Sequence, residues 1–162
     1  MDSSSFLLRI RRLDTVYLRL ALAAGFLTAV TDRLGLWGPH GTINVAWGDM
    51  HHFIAYAAKL NPWFPARIIP AVGWFVTLAE STLGVALLIG YRTRLAARLS
   101  GCLLFAFAVG MCAGTGLKSA LNASVFAASA GSFLLARASN YPLSIDDLTG
   151  RKRVPARSRN TG

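Results

Sequence analysis

One carboxylate, Glu80, lies near the middle of an apolar run from about residue 68 to residue 90. An acid at mid-membrane costs ~2.5–3.5 kcal/mol on insertion scales, so Glu80 is expected to face other helices and to have a partner. Two roles fit it: a carboxyl that carries a proton or accepts a hydrogen bond from a ligand such as a quinone, or a structural hydrogen bond between helices. Arg19, about one turn inside the first apolar run, either snorkels to the headgroups or turns inward towards Glu80. Helical rise separates the depths of the two by ~10 Å, a demanding reach. Asp32 and Arg33 close the first run. Adjacent helical residues point ~100° apart, so this pair is not automatically a salt bridge. Asp32 facing a vestibule with Lys118 is one arrangement, and solvated flanking charges are the other. Glu80, Arg19, Asp32, Arg33 and Lys118 are therefore the candidate ligand or proton site, and no catalytic residue is assigned.

The remaining reactive residues carry less. His51 and His52 are neighbours and project from different helical faces, whereas a helical metal pair uses i, i+3 or i, i+4 spacing. Only Asp49 and His52 have that spacing, with His40 upstream, so no metal is expected. Cys102 and Cys112 sit on one helix ~15 Å apart, beyond the ~7 Å that a disulfide spans. No C-x-x-C pair, P-loop, nucleotide fingerprint or catalytic triad motif occurs.

The elements that must position these residues are membrane spans. The chain has 162 residues, 54% hydrophobic and 15% charged, against about 25% charged in soluble domains. Apolar stretches at about 16–36, 68–90, 95–113 and 120–136 are long enough, or nearly so, to cross a ~30 Å hydrocarbon core as helices. Of 17 Lys and Arg, only Arg33, Lys59, Arg67 and Lys118 fall on one side of that map. The positive-inside rule then predicts an all-α, four-helix transmembrane bundle with both termini cytoplasmic. The net charge of +10 follows these flanks, which suits anionic headgroups and excludes nucleic acid as a partner. Arg19 interrupts the first run, which argues for an uncleaved span over a signal peptide.

Three segments complete the organisation: a cytoplasmic basic leader over 1–15, the membrane domain over 16–137 and a flexible basic cytoplasmic tail over 138–162. In the first outer loop, Met50, Phe53, Ile54, Ala57 and Ala58 recur with helical spacing. Asp49 is the expected N-cap, and Asn61-Pro62 the stop. With Trp37, Trp47, Trp63 and Trp74 as interfacial anchors, this segment reads as a short helix on the outer surface. Ala21, Gly25 and Ala29, and again Ala123, Ala127 and Gly131, form small-residue stripes that let helices approach, within the bundle or in an oligomer.

Residues 16–137 resemble the DoxX family of small four-helix membrane proteins. The resemblance rests on Arg19, Gly25-Phe26, the stretch from Asp32-Arg33-Leu34-Gly35 to Pro39-His40-Gly41, and Trp47-Gly48-Asp49. It continues through Ala79-Glu80, Leu83-Gly84, Gly90-Tyr91-Arg92-Thr93-Arg94 and Ser124-Val125-Phe126. It implies a subunit of a membrane redox complex in a bacterial inner (plasma) membrane, linked to quinone as the cofactor class, with another subunit of that complex as partner. It transfers no residue role. A small transporter or channel, and a scaffold recruiting a soluble partner through its cytoplasmic arginines, are the alternative functions.

Overall fold

The computed structural model describes residues 3–151, with side chains over 13–150. Those residues form seven α-helices and no strand: α1 (Ser3–Arg33), α2 (Met50–Leu60), α3 (Ile69–Ile89), α4 (Thr93–Gly114), α5 (Leu117–Asn122), α6 (Val125–Ala136) and α7 (Ile145–Arg151). A single 3-10 turn, Ala66–Ile68, leads into α3. Three segments are long and apolar enough to cross a membrane: Leu13–Arg33, Ala66–Ile89 and Thr93–Gly114. The protein is an integral membrane protein.

The stops and starts follow local chemistry. Pro70 sits in the first turn of α3, where its missing N–H costs nothing. Gly90 ends α3 in the left-handed region at φ 69°, with its N–H turned back to the carbonyls of Ala86 and Leu87. α4 starts at Thr93, so α3 and α4 are antiparallel neighbours. Small residues set the spacing elsewhere. Gly84 receives Phe26 and Leu27 of α1, and Gly101 receives the Phe133 ring of α6. Ser129 Oγ then donates to the Gly101 carbonyl at 2.8 Å, which ties α6 to α4.

The fourth predicted span is broken. α5 stops at Asn122, Ser124 adopts φ 55°, and only then does α6 begin. With 12 residues, α6 is ~18 Å long, well short of a ~30 Å core. Its composition is mostly apolar and free of charge, which is why the run reads as continuous, but Asn122 and Ser124 are weak helix formers at which the chain turns. A second difference is at the start, where α1 extends back to Ser3 through most of the expected leader.

The tail differs from expectation up to residue 151. Asp146 accepts from the backbone N–H of Arg92 at 2.9 Å and of Thr93 at 2.7 Å, which caps the start of α4. The Asp146 N–H donates to the Gly90 carbonyl, and Tyr141 Oη to that of Leu135. This segment is docked on the turn between α3 and α4. Residues 152–162 of the expected flexible tail lie outside the described residues.

Candidate functional site

Beneath α2 lies a cavity of about 510 Å³ bounded by α1, α3, α4 and the α5–α6 break. Its walls are almost entirely apolar. α2 roofs it because two glycines admit that helix: Gly73 of α3 lies under Ile54 and Phe53, and Gly114 of α4 lies against the backbone of Lys59 and Leu60. α2 is as the sequence predicts, with Asp49 as N-cap accepting the His52 N–H at 2.8 Å. That backbone hydrogen bond holds the Asp49 carboxyl below the usual carboxylate range. The cap is thus fully present above the ordinary Asp value and lost only as pH falls below it.

One ion pair interrupts the apolar wall. Arg33 of α1 and Glu80 of α3 are both 3% exposed, and Arg33 Nη1 donates to Glu80 Oε2. Arg33 Nη1 also donates to Thr77 Oγ1 at 3.1 Å, and Thr77 Oγ1 donates in turn to the Gly73 carbonyl at 2.9 Å. The guanidinium carbon lies 3.7 Å from the Phe53 ring centroid and 5.1 Å from that of Trp47. Cation–π contact and the carboxylate together hold the charge away from water. Arg33 Nε is buried and has no hydrogen-bond partner among the described residues.

Asp32, next in sequence, points the other way. Its carboxylate accepts the N–H groups of Ala46 and Trp47 at 3.1 Å and of Gly48 at 3.2 Å, pinning the loop that carries Trp47 over Arg33. The ~100° between helical neighbours gives each residue a separate task. Asp32 is therefore occupied by the loop and does not meet Lys118, which is exposed on α5. Arg19 is buried at the opposite, basic end, where Nη2 donates to the Leu143 carbonyl at 2.7 Å. It neither pairs with Glu80 nor snorkels, and its Nε and Nη1 have no hydrogen-bond partner among the described residues. Of the five candidates, the structure brings only Glu80 and Arg33 into one site, with Asp32 supporting them from behind.

Sequence reasoning missed Arg33 as the partner of Glu80. The available signal was that a helical side chain leans towards its own N-terminus, which carries Arg33 into the bundle from the end of α1. Among the tryptophans, Trp37, Trp63 and Trp74 are more than half exposed, and Trp47 belongs to the site. Of the small-residue stripes, Ala21, Gly25 and Ala29 line the cavity, as does Ala123, whereas Gly131 lets Leu18 of α1 pack closely on α6.

Comparison with curated proteins and with solved structures yields no match. A family described as methylamine utilisation protein MauE matches residues 11–122, from α1 to the end of α5. The match includes Arg33, Glu80, the pinned loop and α2. It overturns the DoxX resemblance, for which there is no match. The residues that suggested DoxX mostly do helix-packing and turn work that many bundles need: Gly84 beneath Phe26, Gly90 as a left-handed cap, Asp32 as a loop anchor. With more than half of its length matched, the chain belongs to the MauE family of methylamine utilisation proteins.

Proposed function

We propose that this protein is a membrane component of a methylamine-utilisation system that binds a lipophilic molecule with a carbonyl or hydroxyl head, of the isoprenoid quinone class, in the cavity under α2. The observation that carries this reading is the buried Arg33–Glu80 pair on an otherwise apolar wall. Cavities of ~300–1,000 Å³ with apolar linings and a few convergent polar groups are the usual form of small-molecule sites. The Arg33–Glu80 pair supplies the polar part of the cavity lining, and Phe53 and Trp47, which pack on the guanidinium, line the wall beside it.

Access from the bilayer fits the same reading. α1 and α6 touch where Leu18 meets Gly131, whereas Gly25, further along α1, is exposed with nothing within 4 Å of a Cβ built there. Gly25 is thus both exposed and part of the cavity lining, which gives a lipophilic molecule a place to enter. The core of Leu22, Ala23, Leu83, Leu87, Ala97 and Leu135 closes the bundle on the basic side of the cavity, which argues against a channel. In this reading the basic end faces the cytoplasm of a bacterial inner membrane and α2 faces outward. Solvent extraction of protein purified in mild detergent, followed by mass spectrometry, is expected to recover quinone at near one equivalent from wild type. It should recover far less from Arg33→Leu/Glu80→Leu. Equal recovery from both would remove the ion pair from the site.

A further inference from the structure

The loop at the α2 end gathers three histidines and an aspartate that the cavity does not use. The carboxylate of Asp49 and one ring nitrogen from each of His51 and His52 lie within 4.8 Å of one another. Spacing alone speaks against this group, since histidines adjacent on a helix diverge. The helix start changes the geometry: Asp49 is the N-cap, its extended backbone turns the carboxylate back over the first turn, and both rings can reach it.

Other contacts orient the cluster. Both oxygens of Asp49 lie 2.9 Å from His52 Nδ1, so a cation shared by these two residues would take the place of the proton between that nitrogen and the carboxylate. His40, from the far side of the loop, stacks on His52 with ring centroids 3.9 Å apart and planes at 14°. The stack depends on Gly48, whose φ is 71° and whose missing Cβ would collide with the His40 backbone. Asp32 holds Gly48 in turn through its N–H. A chain of contacts thus runs from the membrane helix to the imidazole plane.

We propose that Asp49, His51 and His52 bind a divalent transition-metal ion of the zinc–copper class, with His40 holding the His52 ring in place. Two imidazoles and a carboxylate are the ligand types such ions take, and three protein ligands leave a position open to water or substrate. Tetrahedral coordination at ~2.0–2.1 Å separates ligand atoms by ~3.3 Å, so the present spread closes by rotation of side chains that are largely solvent-accessible. The Asp49 charge offsets the partial positive charge of the helix start, which would otherwise repel a cation.

The test is titration of the full chain, free of any polyhistidine tag, with Zn²⁺ by calorimetry and with Cu²⁺ by electron paramagnetic resonance. One saturable equivalent is expected, with nitrogen hyperfine structure from two imidazoles. Loss of an outer partner alone costs about 10–100-fold in metal affinity, so His40→Ala should weaken binding about 10-fold and His51→Ala/His52→Ala by more than about 100-fold. Circular dichroism should show helix content unchanged in both variants, since the ring positions are at the surface. Absence of a saturable equivalent, or equal affinity in the double variant, would overturn the proposal. Quinone recovery from the double variant separates this result from the cavity reading, because neither residue lines the cavity.

Discussion

At the scale of single residues, the molecule is organised around a charge that cannot be left alone. Removing one partner of a buried ion pair strands the other and costs ~3–5 kcal/mol, whereas replacing both with apolar groups of similar volume is often neutral. Arg33→Leu and Glu80→Leu should therefore each destabilise the protein by about that amount in detergent or bilayer unfolding. The double substitution should recover most of the loss. Additive losses in the double variant would mean that the two side chains are not coupled. The sequence made Glu80 conspicuous because an intramembrane carboxylate is costly and rare. It did not reveal the partner, because Arg33 at a helix end has an equally good reading as a solvated flank. Only the direction in which its side chain leans, fixed by helix geometry, separates it from Asp32 beside it.

At the scale of elements, legibility follows the strength of the local signal. α2 was readable from a five-residue apolar stripe bracketed by Asp49 and Asn61-Pro62, and α3 from Pro70 and Gly90. The break between α5 and α6 was not, because Ala123 and Ser124 carry neither charge nor ring and blend into the apolar run. The break has an energetic signature: Ser124 at φ 55° is in the region where a side chain costs ~1–2 kcal/mol. Ser124→Gly should raise stability by about 1 kcal/mol in a thermal or denaturant melt, since glycine reaches that region without the steric penalty. A loss of stability would imply that the hydroxyl, rather than the turn, is what the position requires. The docking of residues 141–147 was equally hidden. It depends on Asp146 meeting two N–H groups more than fifty residues away, a contact that no local pattern encodes.

At the scale of the whole molecule, charge and cavity lie at opposite ends. The basic turn between α3 and α4, with the docked segment upon it, forms one end, and the aromatic loop with α2 forms the other. Single-cysteine variants made on a background lacking Cys102 and Cys112 test the orientation this implies. Thr42→Cys should react with impermeant thiol reagents in intact cells, and Ser139→Cys only after lysis; the reverse pattern would invert the molecule in the membrane. If the cavity binds a lipophilic ligand, Gly25 is a position at which that binding can be blocked. A side chain added there meets nothing within 4 Å at its Cβ and projects from a residue that lines the cavity, so Gly25→Leu should fill the site while leaving the fold intact. The decisive measurement is a short-chain quinone titration in nanodiscs, followed by quenching of Trp47 in protein whose other three tryptophans are replaced by phenylalanine. Saturable quenching in that background, abolished by Gly25→Leu without loss of thermal stability, is the predicted result. Saturable quenching that survives Gly25→Leu, or none at all, would contradict it.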